Sequence, residues 1–336
     1  MQFHTVASRG LNTLSNRHIQ MDAYTLAVRN TEEIVTDEDL RHLIDKPQKK
    51  VYCGYEPSGE IHLGHLTTIN KLVDLKNAGF EIVVLLADVH AFLNRKGTME
   101  EIRALAEYNK RCFQGLGLTD IQYVLGTEIQ LSPEYQLLVH ELAQQVTVNR
   151  AKRSMDEVGR QMDHPTVSQM VYPIMQMVDI AMLGVDAAVG GIDQRKIHML
   201  AREYLPGKGY PSPVCIHLPI INGIDGKKMS SSLGNDISVA ESEESIRKKM
   251  KKAFCPPEAE ENPILQILHY HIFPRVESVT VERSEKFGGN VTFFSYGEIE
   301  ISYLHGDIHP ADLKETVARY LIEILTPVRK YLAAHT

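Results

Sequence analysis

Strand-length apolar runs alternate with stretches of helical period through the first two thirds of the sequence, and helices with charged faces fill the last third. Such alternation predicts an α/β protein whose strands lie parallel, with helices on both faces of the sheet. A long helical insertion separates the third strand from the fourth and divides the sheet into halves. The class expected is therefore a Rossmann-type parallel sheet with helical insertion, followed by a mostly α-helical C-terminal domain. The boundaries expected are an extension over 1–20, the sheet domain over 21–239 with its insertion near 129–165, and the C-terminal domain over 240–336. A chain of 336 residues is long for one core and suits a large unit with a smaller one.

In chain order, Thr36 ahead of Asp37, Glu38 and Asp39 is a capping-type helix start, and Pro47 closes that short helix. Residues 51–55 read as a strand, followed by a turn at Glu56-Pro57-Ser58-Gly59. A helix opens near His62, lays Leu66, Ile69, Leu72 and Val73 on one face, and ends at Gly79. Residues 81–88 read as a second strand, buried on both faces because its apolar run is unbroken. A helix over 99–115 leads to a third strand at 121–125. The stretches 133–160 and 165–183 are expected to be helical. A strand at 187–189, a helix over 194–204 and a strand at 214–218 complete the sheet.

The formal net charge of −7 excludes a uniformly basic, sequence-blind nucleic-acid binder. Basic residues cluster at Arg150, Lys152 and Arg153, and at Arg247, Lys248, Lys249, Lys251 and Lys252. Each cluster alone reads as a solvated helix face. No apolar run approaches the roughly 20 residues of a membrane span. Cys53, Cys112, Cys215 and Cys255 are scattered, without a Cys-x-x-Cys pair, and read as reduced thiols of a cytosolic protein. Residues 1–20 carry Arg9, Arg17 and His18, no acid and no apolar core. They are read as an extra upstream start before Met21 in preference to a transit peptide.

Three segments carry chemistry. Gly54-Tyr55-Glu56-Pro57-Ser58-Gly59, then His62-Leu63-Gly64-His65, stands between a strand and a helix. Free backbone N–H groups there point above the sheet edge. Gly54 and Gly64 admit a planar or phosphate-bearing ligand, and His62 and His65 can donate to phosphate oxygens. A metal site is the alternative, but no third ligand is placed nearby. The second segment, Gly226-Lys227-Lys228-Met229-Ser230-Ser231-Ser232-Leu233-Gly234-Asn235, reads as a mobile loop able to close over polyphosphate, or as a solvated turn. In the first reading Lys228 is a point charge and the serines are donors. The third is Gly190-Gly191-Ile192-Asp193-Gln194 at a strand end, where Asp193 suits ribose hydroxyls or caps the next helix.

Together these residues resemble the class I aminoacyl-tRNA synthetases. His62-Leu63-Gly64-His65 looks like their HIGH signature, and Lys228-Met229-Ser230-Ser231-Ser232 like their KMSKS signature. The likeness is closest to the tyrosyl branch of archaeal and eukaryotic type, which carries the KMSSS variant. Val171-Tyr172-Pro173-Ile174-Met175-Gln176 and Val189-Gly190-Gly191-Ile192-Asp193-Gln194-Arg195-Lys196 also read like that branch. The resemblance implies activation of tyrosine with ATP and Mg²⁺, then transfer to tRNA(Tyr). It implies catalytic roles for His62, His65 and Lys228. ATP would be held by these with Gly54, Glu56, Gly64, Gly191, Asp193, Met229, Ser230, Ser231 and Ser232. Tyr52 and Asp179 would read the substrate phenol, Tyr172, Gln176 and Gln194 would hold its amino and carboxylate groups, and Ala87 and His90 would line its ring. Arg153, Arg195 and Lys196 would meet the tRNA acceptor end, and Phe287, His309 and Asp312 the anticodon. A cytoplasmic homodimer with no resident metal and no membrane contact is implied. The rival readings are a tryptophanyl-tRNA synthetase, which shares the fold and both signatures, and a non-catalytic RNA-binding paralogue.

Overall fold

The computed structural model describes residues 21–156, 158, 164–229 and 233–335. The expectations for residues 1–20 and for Ser230, Ser231 and Ser232 lie outside the described residues. Six strands form one sheet: β1 Glu33–Val35, β2 Lys50–Tyr55, β3 Glu81–Leu86, β4 Gln122–Leu125, β5 Ala187–Gly191 and β6 Val214–Leu218, in spatial order β1-β6-β5-β2-β3-β4. The five expected strands are all present and all parallel. The order runs outward in opposite directions from the β2–β5 pair, so a crevice opens above their carboxyl ends. β1 was not foreseen. It has three half-buried residues, too few to show a period, and pairs antiparallel with β6 at the sheet edge.

The helices are α1 Ala23–Val28, α2 Asp37–Ile44, α3 Leu63–Asn77, α4 Asp88–Leu93, α5 Met99–Gly115, α6 Gly126–Ile129, α7 Pro133–Ala143, α8 Val148–Met155, α9 Val167–Met182 and α10 Arg195–Tyr204. The last third holds α11 Glu243–Lys252, α12 Pro263–Ile267, α13 Tyr296–Leu304 and α14 Pro310–Ala334, with a hairpin of β7 Val279–Val281 and β8 Val291–Phe293. Two expected boundaries move. The stretch 133–160 is not one helix: it breaks after α7, and Thr147 starts α8 by accepting from the Arg150 N–H. The second strand stops at Leu86, because Asp88 turns the chain. Its Oδ1 accepts from Val89 N at 3.0 Å and Thr127 N at 2.8 Å, which ties the ends of β3 and β4 together.

One apolar cluster runs from the sheet into the C-terminal helices, joining Val51, Ile69 and Phe113 to Ile264, Leu321 and Val328. α5 and α14 approach so closely that a Cβ on Gly115 would stand 2.9 Å from Val328 Cα. The other face of the sheet packs on α7, α9 and α10 through Leu85, Leu138, Met177 and Leu200. α3 is also gripped at its middle. Asn70 donates to the Tyr270 carbonyl at 2.9 Å and accepts from Arg275 Nε at 2.8 Å. The buried Lys71 ammonium donates to carbonyls of Leu26, Ala27 and Arg29, the last turn of α1 and beyond. Burial holds Lys71 down to about 8. The helix that presents His62 and His65 is therefore anchored from both the N-terminal and C-terminal parts of the chain.

Candidate active site

A cavity of about 430 Å³ lies above the carboxyl ends of β2 and β5, where the order of the parallel strands reverses. At one end stands the start of α3. His62 is its N-cap: Nδ1 of His62 accepts from Gly64 N at 3.1 Å, and Nδ1 of His65 accepts from His62 N at 3.2 Å. This is a capping box made by two imidazoles. An accepting Nδ1 places the proton of each neutral ring on Nε2. Burial lowers the pKa of both rings, that of His65 to about 3 with His62 adding to the effect. The rings, 4.1 Å apart between centroids, are neutral at pH 7 and keep an Nε2–H donor each. The structural reading and the catalytic reading of the pair thus fall on different nitrogens.

Gly64 is required by its neighbours. A Cβ there would lie 2.9 Å from His62 Cε1 and 3.4 Å from Met229 Sδ, so the basic loop already rests on this helix. A Cβ on Gly54 would meet Tyr52 only at ordinary contact distance, 3.4 Å. Lys228 is exposed and its side chain does not line the cavity; its carbonyl accepts from Asn235 Nδ2 at 3.2 Å. Glu56 accepts from Asn94 Nδ2 at 2.6 Å and faces Lys96 at 3.5 Å. On β5, a Cβ on Gly191 would stand 2.6 Å from Asp193 Oδ1, and one on Gly190 would stand 3.0 Å from Gln194 Cγ. The two glycines make room for these side chains to line the cavity. Asp193 does not cap α10; it lies within a 3₁₀ turn, and α10 starts without a side-chain cap.

The far end holds Tyr52, Ala87, His90, Tyr172, Gln176 and Asp179. Asp179 is 1% exposed. Its Oδ1 lies 2.7 Å from the Tyr135 hydroxyl and accepts from Gln130 Nε2 at 2.8 Å; His90 Nε2 is 3.7 Å from Oδ2. Burial raises this carboxyl above the usual carboxylate range, against the opposing pull of His90, Gln130 and Tyr135. Burial, then the Asp179 charge, raises the Tyr52 phenol. Tyr172 meets His90 edge-on at 4.5 Å. Gln176 donates Nε2 to Gln194 Oε1 at 3.2 Å, which leaves Gln176 Oε1 as a buried acceptor with no partner. His90 Nε2 and Thr67 Oγ1 are buried without a hydrogen-bond partner as well. Orphaned buried polar atoms are costly, so three residues lining one cavity that each carry such an atom mark a place for a polar ligand. Sequence reasoning missed Gln130 and Tyr135. Tyr135 shares the apolar face of α7 with Leu138, Val139 and Leu142 and read as core, and Gln130 carries no pattern at all.

Residues 45–326 match the family model of class I tRNA synthetases of the tryptophan and tyrosine group. The chain belongs to this family. It is 76% identical over 312 residues to a tyrosine–tRNA ligase of Methanospirillum hungatei, covering 93% of this chain and 100% of that protein. A crystal structure of tyrosyl-tRNA synthetase complexed with L-tyrosine from Archaeoglobus fulgidus superposes with a TM-score of 0.90 at 57% identity, covering 92% of this chain and 98% of that one. A tryptophanyl-tRNA synthetase of Aeropyrum pernix, at 22% identity and a TM-score of 0.72 over 89% of this chain and 82% of that one, shares the fold.

The residues that the sequence reading assigns to tRNA do not line the cavity. Arg153 is on α8, and Arg195 and Lys196 open α10. Phe287 is 61% exposed in the turn between β7 and β8, with the Lys286 ammonium 4.6 Å from its ring centroid. It is not a core residue. His309 caps α14 by accepting from Ala311 N at 3.1 Å, and Asp312 lies in the first turn. Arg283 bridges the two segments: its Nε donates to Gly289 O at 3.1 Å and its Nη1 to the Asp307 carbonyl. That bridge brings the Phe287 turn beside the start of α14. Among the described residues, no group of three His, Cys, Asp or Glu is placed to hold a metal ion.

Proposed function

We propose that this chain is a tyrosine–tRNA ligase in which Tyr52 and Asp179 read the substrate phenol. The observation that carries the reading is the buried Asp179, held by Tyr135 and Gln130, lining the same cavity as the buried Tyr52. A para-hydroxyl can pair with such a group. A bare phenyl ring would bring no donor to the Oδ2 side of this carboxylate, and an indole carries its N–H at a different place on the ring. Gln176 Oε1 is the acceptor for the substrate ammonium, and Gln194 fixes its amide. The tyrosine carboxylate attacks the α-phosphate of ATP, the new P–O bond forms, and pyrophosphate leaves. The Nε2–H groups of His62 and His65 and the Lys228 ammonium meet charge as it develops on the phosphates. Mg²⁺ accompanies the ATP phosphates and neutralises part of their charge. A terminal ribose hydroxyl of tRNA(Tyr) then takes the tyrosyl group. No protein nucleophile is used, so positioning and electrostatics carry the rate.

The test is amino-acid-dependent ATP–pyrophosphate exchange with each of the twenty amino acids. Tyrosine alone is expected to support rapid exchange. Equal exchange with tryptophan or phenylalanine would remove the tyrosine assignment and leave the family intact.

In this reading Phe287, His309 and Asp312 meet the anticodon. Phe287 supports it as an exposed stacking face, worth about 1–3 kcal/mol per base by alanine substitution. Asp312 can only accept, which suits the N–H edge of a guanine. Asp312→Ala is expected to raise the KM for tRNA while exchange measured on the same preparation holds. It should also lessen the penalty for changing the base that is read. A melting temperature that falls together with both activities would assign Asp312 to the favourable first turn of α14 instead. We also place this synthetase in the cytoplasm as a homodimer. The exposed Leu131, Leu137, Val148 and Val167 of the insertion and the adjoining α9 support a second copy as their cover.

A further inference from the structure

Glu33 faces His217 across the antiparallel β1–β6 pair. Its carboxylate accepts a fork from Arg195, Nε to Oε2 at 2.7 Å and Nη2 to Oε1 at 2.9 Å. The same Oε2 lies 3.0 Å from His217 Nδ1, and His217 Nε2 lies 3.1 Å from His198 Nδ1. The two imidazoles stack at 5.2 Å between centroids and are buried. A carboxylate can only accept, so the protons run one way: His217 donates Nδ1–H to Glu33, and His198 donates Nδ1–H to His217. Burial keeps both rings neutral, lowering His198 to about 3. His198 lies one turn beyond Arg195 on α10. Glu33 is therefore tied to α10 twice, directly through Arg195 and through the histidine pair. α10 begins without a side-chain cap, immediately after the cavity-lining Asp193 and Gln194. The edge strand β1, three residues long, delivers the group that orients this end of the helix.

We propose that Glu33 is a positioning residue for the tRNA-charging step: its carboxylate, backed by His217 and His198, fixes the Arg195 guanidinium beside Asp193 and Gln194 so that the opposite edge of the guanidinium faces the acceptor end of tRNA. The Nε and Nη2 side of the fork is occupied by Glu33. The Nη1 edge and the planar face stay available, and the Arg195 side chain is 44% exposed. A planar, bidentate cation held on one edge is preorganised to read a base edge or a phosphate with the other. Without Glu33 the same side chain would sample many rotamers, and each encounter with RNA would have to order it. The inference rests on the proposed reading of Arg195 as an acceptor-end contact.

The experiment compares tRNA charging and tyrosine-dependent pyrophosphate exchange on single preparations of wild type, Glu33→Gln, Arg195→Ala and the double variant. Melting temperatures are recorded alongside. Glutamine keeps the shape and one acceptor while removing the charge. Glu33→Gln is expected to lower kcat/KM for tRNA about tenfold relative to exchange, the scale of one misplaced charge-assisted contact. It is also expected to shrink the penalty for inverting the first base pair of the acceptor stem. The double variant is expected to charge no worse than Arg195→Ala alone, because Glu33 acts through Arg195. His217→Asn, which retains a donor near the Nδ1 position, is expected to give a smaller loss in the same direction. Additive losses in the double variant, or a fall of exchange, charging and melting temperature together in Glu33→Gln, would overturn the positioning role. So would a loss in Arg195→Ala with none in Glu33→Gln. Wild-type charging by Arg195→Ala would instead remove the reading of Arg195 itself.

Discussion

Asp179→Ala combined with Tyr52→Leu is expected to erase the preference for tyrosine over phenylalanine. Sites that hydrogen-bond a substrate hydroxyl reject the analogue lacking it by about 10⁴–10⁵, the upper figure being the established value for tyrosine-specific enzymes of this class and not one obtained from this chain. The rejection arises because the buried phenol and the Oδ2 side of the buried carboxylate lose the partner the substrate hydroxyl would supply, while Oδ1 keeps Tyr135 and Gln130. Removing both groups removes the penalty, and the enlarged apolar wall next to Ala87 should admit other aromatic side chains. The change also takes from the Gln130 amide one of its two partners, Asp179, leaving His90 Nδ1 at 3.0 Å, so a stability loss of about 1 kcal/mol is expected from the lost hydrogen bond. Exchange rates with tyrosine, phenylalanine and para-substituted phenylalanines, read beside a melting curve, separate the two effects. A retained preference for tyrosine in a folded double variant would show that other groups read the phenol.

Lys228→Ala is expected to slow adenylate formation by about 10²–10³ while tyrosine affinity holds within about twofold, the pattern of a contact made only in the transition state. The ground for this is the position of the loop. Met229 already rests against Gly64 at the start of α3, whereas Lys228 is exposed and does not line the cavity. Closure of the loop would carry the ammonium onto the phosphates. Single-turnover kinetics of adenylate formation, with equilibrium binding of tyrosine, measures both quantities. An unchanged adenylation rate would leave the loop with another task.

Much of this architecture was legible because it is written in periods and in local chemistry. Strand β3 is buried on both faces along nearly its whole length, so its sequence is an apolar run that stands out between helical stretches, and β5 and β6 are buried almost as fully; the outer β4 is only partly buried. The start of α3 was legible for a related reason: a cap uses residues within three positions of one another, and His62, Gly64 and His65 are such neighbours. Residue roles in the tyrosine end came by resemblance alone, since Tyr52, Gln176 and Asp179 follow no pattern that distinguishes them from satisfied core groups. Gln130 and Tyr135 escaped even that, although they hold the Asp179 carboxylate. The structure also corrected local readings. Asp193 does not cap α10, and the stretch 133–160 breaks at the Thr147 cap.

The amino-acid sequence by itself determined the fold class, the strand–turn–helix setting of the two histidines and the glycine-flanked basic loop, because each depends on residues close together in the chain. Tertiary structure alone decided which distant groups share a cavity and which nitrogen of each histidine remains free. It also decided that Glu33, 162 positions before Arg195, meets its guanidinium through a three-residue edge strand. Contacts of that separation depend on the crossing of strands and the register of β1 against β6. Many different side chains could occupy such positions with the same local pattern, so no local signal records the pairing.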